Sequence, residues 1–414
     1  MKNFQKKSFL IVSKCTYFFS NPSNISILEY LIEKKHDIHL IIPEQIYQKK
    51  FKSRINLSYY CFNKSMPENS SLKENIFEIF KIIYTLKCRS KIKKIIEEFK
   101  INLKLKLYTK FLLYKIKLGT TNKPIKVLFI DDKSMYLFHE IKKCFPHAKK
   151  YYISYEIWFK NETPVNDLPY FYSLKKHIKE FENIIIQDEA RESIFRNEKN
   201  ILNDKITFKY LPVAYENIRY PTKKKSSKKI LISGSLDLYT GVDQIIKLNE
   251  TESTLENFEI TFQTHRIETT NPNILKIIKG SSKSNILLDD RNFSDYKTYF
   301  NYISLYDIGI SIYIPHLHSD CSFELGKNIE EIGLSSGKMN AYLANSLPVV
   351  ATKSGYLDEL NNKYKFGILI ETISELPKAL EEICFNYSEF SQNVFKFYKK
   401  VLKPSNYLNG IFKN

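Results

Sequence analysis

Rhythm constrains this chain more than any single residue does. From residue 8 onward, apolar runs of five to eight residues alternate with longer amphipathic stretches. Runs that short, separated by helical patterns, are strands of parallel sheets covered by helices. In the first half they are SFLIVS (8–13), DIHLIIP (37–43), KVLFID (126–131), KYYISYE (150–156) and NIIIQD (183–188), with helical patterns at 26–35, 135–144 and 189–197. A polar run, PTKKKSSKK (221–229), breaks the series. A second one follows: KILISG (229–234), FEITFQ (258–263), SNILLDD (284–290), DIGISIYI (307–314), LPVVAT (347–352) and FGILI (366–370). Helical patterns at 241–249, 296–303, 338–344 and 374–387 separate its strands. Two open α/β sheets joined by one linker predict a cleft between two domains, with ligands at the carboxyl ends of the strands.

At 414 residues the chain suits two domains better than one. The rhythm divides it into 1–215, a linker at 216–228, a second domain at 229–387 and a terminal stretch at 388–414. Hydrophobic residues make up 43%, with 29 Phe and 29 Tyr to fill two cores, while 11 Gly and 14 Pro are too few for a fibrous or disordered chain. The six cysteines lie far apart without paired spacing, which fits a reducing cytoplasm better than a disulfide framework or zinc site. The apolar core at 9–12 is too short for a secretion signal, and no apolar run is long enough to span a bilayer. A cytoplasmic protein is expected.

The net charge of +19 favours anionic partners. Most of the lysine is spread thinly and belongs to solvated surface. Residues 76–118 differ, with twelve Lys or Arg against three Glu and apolar residues woven between. Their second part, KLKLYTKFLLYKIKL (104–118), reads in two ways. It is a basic amphipathic surface resting on anionic lipid at the inner face of the plasma membrane, or a pair of covering helices with an apolar face in the core. No nucleic-acid motif accompanies the charge, so no nucleic-acid partner is expected.

Chemistry concentrates at SSGKMNAYLANSLPVVATKSG (335–355). Ser335 and Ser336 precede a helical pattern in the N-cap region, and helix N-termini attract anions through unpaired N–H groups and the positive end of the dipole. Gly337 and Lys338 add an open backbone and a full charge at the same point. That arrangement suits a diphosphate. Gly234 and Ser235, after the first strand of the second half, and Gly355, after LPVVAT, leave room for a ligand to approach the backbone. Arg266, just past FEITFQ, can add positive charge. Without context, the same tetrapeptide only caps a helix and carries a solvated lysine. The strand-end carboxylates Asp131, Asp132 and Glu156 are candidates for acid–base work, although Asp131 or Asp132 can equally cap the helical pattern that follows. The loop PHLHSDCSFE (315–324) gathers His316, His318, Asp320 and Cys321, but at a nonspecific spacing, and no metal is expected.

The run EIGLSSGKMNAYLANSLPVVATKSGYLDEL (331–360) resembles the nucleotide-sugar-binding segment of GT-B glycosyltransferases, closest to members of family 4 (group 1) with an S-S-x-K-x-x-x-Y-L-x-x-x-x-P-V-V pattern. SGSLDLYTGVDQIIKL (233–248), SNILLDDRNFSDYKTYFNYISLYDIGIS (284–311), NIIIQDEARESIFRNE (183–198) and LPV (211–213) are similar to other family segments, in the family's order. The resemblance implies an α/β GT-B architecture, two Rossmann-like domains facing across a cleft. The second would bind a nucleotide-sugar donor and the first an acceptor, with the helix SEFSQNVFKFYKKVL (388–402) crossing back onto the first. It implies hexosyl transfer without a metal and with no cofactor beyond the nucleotide-sugar co-substrate. Glu359 matches a family carboxylate that would hold a ribose hydroxyl or cap a following helix. The family's paired glutamates fall here on Gly333 and Ala341, with Glu330 and Glu331 nearby. FSNPSN (19–24) replaces the usual glycine-rich loop after the first strand, leaving Asn21, Ser23 and Asn24 to hydrogen-bond an acceptor.

The expected function is sugar transfer to a glycan or lipid-linked acceptor in cell-envelope polysaccharide biosynthesis. Two rivals share the architecture: a nucleotide-sugar epimerase, and a non-catalytic nucleotide-sugar-binding protein, which the missing glutamates favour.

Overall fold

A computed structural model describes residues 7–14, 18–43, 57–62, 113–114, 125–161, 163–165, 167–201, 206–221, 228–264, 267, 270–293, 296–317 and 327–412. The first series of strands forms a seven-stranded sheet: β1 (Ser8–Ser13), β2 (Asp37–Pro43), β3 (Leu57–Phe62), β4 (Ile125–Ile130), β5 (Lys149–Ile153), β6 (Asn183–Ile186) and β7 (Thr207–Tyr210). Their spatial order is β3-β2-β1-β4-β5-β6-β7, and every pairing is parallel. The second series forms a six-stranded sheet from β8 (Lys229–Ser233), β9 (Glu259–Gln263), β10 (Ile286–Asp289), β11 (Ile308–Ser311), β12 (Val349–Thr352) and β13 (Gly367–Ile370), ordered β10-β9-β8-β11-β12-β13 and again all parallel.

Alternation along the strands explains why helices cover both faces. In β1, Leu10 and Val12 enter one core with Val127, Phe129 and Tyr152, whereas Phe9 and Ile11 enter the opposite one with Leu128, Ile130 and Tyr151. The second sheet is sandwiched in the same manner. Ile230 and Ile232 face a core with Ile245 and Leu380, and Leu231 faces another with Tyr342 and Phe366.

Two strands, β3 and β7, do not stand out in the sequence. LSYYCF and TFKY lack a continuous apolar run, and both lie at sheet edges, where β7 is only half-covered and Thr207 is exposed. The fifth strand ends at Ile153, so Glu156 stands in the loop beyond it.

The chain crosses between the sheets twice. It leaves the first after β7 and enters the second at β8. On the way back, Val394 and Phe397 of the Tyr387–Phe397 helix remain in the second sheet's core. A π-helical turn, Tyr398–Leu402, and Pro404 follow, and the Ser405–Phe412 helix then places Leu408, Ile411 and Phe412 beside Phe9, Leu28 and Tyr151. The return is thus made by 405–412 rather than by 388–402. The two crossings are bonded to each other: the Tyr215 N–H donates to the Tyr398 hydroxyl at 2.9 Å, which donates to the Tyr215 carbonyl at 2.6 Å. Glu216 adds a bond from the Ser405 N–H at 3.0 Å and an ion pair with Lys403 at 3.1 Å.

Candidate functional site

In each sheet the strand order reverses once, between β1 and β4 in the first and between β8 and β11 in the second. Helices leave the neighbouring strands toward opposite faces there, which opens a crevice at the carboxyl ends.

At the second reversal, β8 ends in Ser233 and Gly234. Gly234 has φ +103°, open to glycine at little cost, and a Cβ there would meet the Lys338 side chain at 3.9 Å. Ser233 donates its N–H to the Tyr342 hydroxyl at 2.8 Å, and its hydroxyl lies 2.7 Å from that of Tyr299 and 2.9 Å from that of Tyr342. Across from it, β11 ends in Ser311, followed by Ile312 and Tyr313. The Gly337–Ala344 helix begins between these strand ends. Ser336 caps it, accepting from the Met339 N–H at 3.3 Å, and its hydroxyl lies 2.9 Å from that of Tyr313.

Lys338 sits one residue inside this helix. Its ammonium donates to the Ile312 carbonyl at 3.4 Å and stands 4.2 Å from the centre of the Tyr313 ring. No carboxylate pairs with it among the described residues. Burial alone pulls its pKa down to about 7. A lysine held by one carbonyl and a ring face, at a helix start, is a charge site without its counter-ion.

The other expected donor residues are less closely gathered. Ser335 is half-buried and donates to the Ile332 carbonyl. A Cβ at Gly337 would contact Val213 at 3.6 Å, so the helix start abuts the segment leaving the first sheet. Ser235 is exposed beyond Gly234. Gly355 opens the Gly355–Tyr364 helix, on which Glu359 is exposed. Arg266 lies outside the described residues, as do His318, Asp320, Cys321 and, except for 113–114, the basic passage 76–118. Among the described residues no cluster of three potential metal ligands occurs.

Around the first reversal, β4 is followed by Asp131, which has φ +57° and accepts from the Tyr155 N–H at 2.9 Å. Burial raises its carboxyl to about 7, against the Tyr155 bond and with help from the Glu156 and Asp132 charges. Glu156 is exposed and accepts from the Asn328 side chain, which belongs to the second half. The Tyr313 hydroxyl is pushed up mainly by burial.

Asp132 requires a correction. It is fully buried, accepts from the Tyr152 hydroxyl and pairs with Lys199 at 3.0 Å, so it is a core ion pair rather than a cleft carboxylate. The acceptor-side expectation for Asn21, Ser23 and Asn24 is corrected as well. Asn21 caps the Pro22–Glu33 helix, accepting from the N–H groups of Ser23 and Asn24. Ser23 is buried and donates to the Pro212 carbonyl at 2.9 Å. Asn24, also buried, donates to the Phe18 carbonyl at 3.0 Å and accepts from the Tyr155 hydroxyl at 2.7 Å. The side-chain groups of Ser23 and Asn24 are spent inside the protein, and the Asn21 side-chain oxygen is spent on the helix cap.

Sequence reasoning missed Lys14, at the carboxyl end of β1, which donates to the Tyr170 hydroxyl at 3.1 Å and lies 5.0 and 5.1 Å from the Tyr136 and Tyr170 ring centres. A lysine directly after a central strand was the available signal. The hydroxyls of Tyr299, Tyr313 and Tyr342 carry no such signal, because they converge from separate elements.

The family's paired-glutamate positions take other roles here. Gly333 has φ +49°, and a Cβ there would overlap the Asp188 carboxylate from the first half. Ala341 is buried in the core beside Tyr342.

No family model and no curated protein matches the sequence. Solved structures do match its fold over nearly the full chain. A glycosyltransferase from Rickettsia africae ESF-5 has a TM-score of 0.60 at 14% identity, covering 99% of this chain and 98% of that one. The N-terminal domain of Candida albicans trehalose-6-phosphate phosphatase gives 0.59 at 13%, covering 100% and 97%. A UDP-forming α,α-trehalose-phosphate synthase from Burkholderia vietnamiensis gives 0.55 at 11%, covering 97% and 98%. Two parallel sheets, each with one reversal of strand order and joined by two crossings, together with this similarity, give the chain the GT-B glycosyltransferase fold.

Proposed function

We propose that the protein is a glycosyltransferase. In this reading residues 229–387 bind a nucleotide-sugar donor, residues 1–215 bind a glycan or lipid-linked acceptor, and the product enters cell-envelope polysaccharide. The observation that carries the reading is Lys338, a half-buried side chain whose ammonium has no carboxylate among the described residues, at a helix start beside Gly234. A diphosphate would take the first N–H groups of the Gly337–Ala344 helix and restore the charge of Lys338, and the same groups would stabilise it as it leaves. In this reading Lys338 and the helix dipole supply the positive charge, and transfer needs no metal. Asp131, its carboxyl raised to about 7, is the acid–base candidate, with Glu156 beside it. Among the described residues no helix is long and apolar enough to cross a membrane. The basic passage 76–118 would bring the enzyme to an anionic membrane surface where a lipid-linked acceptor resides.

Because one similar structure is named UDP-forming, uridine nucleotides are the first donors to try. The test is a thermal-shift panel of UDP, GDP, CMP and their sugars on the protein and on Lys338→Ala. One nucleotide class should stabilise the protein, and the substitution should weaken that effect. No response of the unaltered protein to any nucleotide would defeat the reading. The occupied space at Gly333 and the buried Ala341 favour a second reading, a non-catalytic nucleotide-sugar-binding protein. It would show the same stabilisation but no donor turnover with any acceptor.

A further inference from the structure

Arg191 is 1% exposed, yet among the described residues no carboxylate pairs with its guanidinium. All five of its side-chain N–H groups have acceptors. Nε donates to the Gln187 side chain at 2.8 Å. Nη1 donates to the carbonyls of Asn328 at 3.1 Å and Glu331 at 3.2 Å. Nη2 donates to the Asn328 side chain at 2.8 Å and the Tyr155 carbonyl at 3.2 Å. Three of these bonds reach from the first half into one short segment of the second.

Asp188, three residues earlier, holds the other end of that segment. Its Oδ1 accepts from the Arg191 N–H at 2.9 Å and its Oδ2 from the Leu334 N–H at 2.8 Å. Gly333 adopts φ +49° with no Cβ, which lets this carboxylate come close. The Val213 N–H donates to the Leu334 carbonyl at 3.1 Å, and the Asn340 amide donates to the carbonyls of both Val213 and Leu334 at 2.9 Å. Residues 328–334 are therefore gripped by the first half from end to end. The chain then passes directly into Ser335, Ser336, Gly337 and Lys338.

We infer that Arg191 and Asp188 are positioning residues for the anion cradle: by holding 328–334 they set where Ser336 and Lys338 stand, so that donor binding in the second half depends on its docking to the first. The inference rests on the donor reading of that cradle. A residue that served only as a fold anchor would leave the cradle unchanged when weakened.

The experiment uses the full chain and two variants. Arg191→Lys keeps the charge but replaces five fixed donors with a single ammonium. Gly333→Ala presses on the Asp188 carboxylate from the opposite side without touching Arg191. Amide hydrogen exchange is followed over 335–340 and, as a control, over β1 and β9, and UDP affinity is measured by calorimetry. Expected in both variants are exchange at 335–340 faster by about tenfold and UDP binding weaker by about tenfold, with β1 and β9 protected as before. Unchanged exchange at 335–340 in a folded variant would overturn the inference. So would loss of protection in β1 and β9 of both variants, which would make the turn a general stability element. If UDP fails to bind the unaltered protein, the donor reading fails, while the exchange result still decides whether the turn shapes the cradle.

Discussion

The Lys338 ammonium stands 4.2 Å from the centre of the Tyr313 ring, and among the described residues it has one carbonyl and no carboxylate to balance its charge. A ring face and a carbonyl compensate only part of the hydration that an ammonium loses on burial. The site is therefore at its most costly when empty, and an incoming anion would relieve that cost.

The lysine should couple binding to protons. Its pKa falls from the ordinary 10.5 to about 7 in the empty site, and a bound diphosphate should return it toward the ordinary range. Near pH 8.5 the free protein carries Lys338 mostly neutral, so nucleotide binding should take up close to one proton; at pH 6 uptake should nearly vanish. Calorimetry in two buffers of different ionisation enthalpy measures this. Equal uptake at both values would contradict the assignment.

Stability should show the same group with the opposite sense. Between about pH 7 and 10.5 the unfolded chain binds the Lys338 proton and the folded one does not, so stability from this group rises with pH across that window. Below pH 7 the cost of burying the charge is felt in full. Lys338→Met should thus raise the melting temperature by a few degrees at pH 6, with the gain shrinking toward pH 10, while nucleotide stabilisation disappears. A lower melting temperature at pH 6 would count against it.

Asp131 titrates the other way. Its carboxyl rises from 3.8 to about 7, so between those values the folded protein holds a proton that the unfolded chain has lost, and stability falls as pH increases across the window. Asp131→Asn imitates the protonated form and keeps an acceptor for the Tyr155 N–H. It should flatten the dependence of melting temperature on pH between about 4 and 7, and lower sugar transfer at least about a hundredfold if the carboxyl works as acid or base. Transfer at the original rate would remove Asp131 from the chemistry.

The Asp132 and Lys199 pair is a stability matter only. Both side chains are fully buried, and Lys199 also donates to the Trp158 carbonyl and stands 3.8 Å from the centre of the Phe171 ring. Asp132→Ala should cost about 3–5 kcal/mol, because it strands a buried ammonium. Combining Asp132→Leu with Lys199→Met should cost much less than the single change. Urea denaturation of the two variants reads the difference, and equal losses would mean the pair is not coupled.

Much of this architecture was legible in the sequence because strands buried on both faces must be apolar along their length, as SFLIVS and KILIS are. The edge strands TFKY and LSYYCF escaped because an edge needs no such run. At the site, the serine before a helical pattern correctly announced the cap at Ser336, since capping depends on neighbours a few residues apart. The roles of Ser23, Asn24 and Asp132 were misjudged for the converse reason. Their partners at Pro212, Tyr155 and Lys199 are distant in sequence, and a polar residue after a strand looks the same whether it meets a substrate or a core hydroxyl. Asp188 opposite Gly333 was equally hidden, because the carboxylate and the space it fills come from different sheets.

Splicing Tyr215 to Tyr398 makes one junction of the two crossings. Two bodies tied by separate cords can slide and twist apart. Cords knotted together at one place cannot slip past each other, so a disturbance of either crossing reaches the other through the Tyr398 hydroxyl.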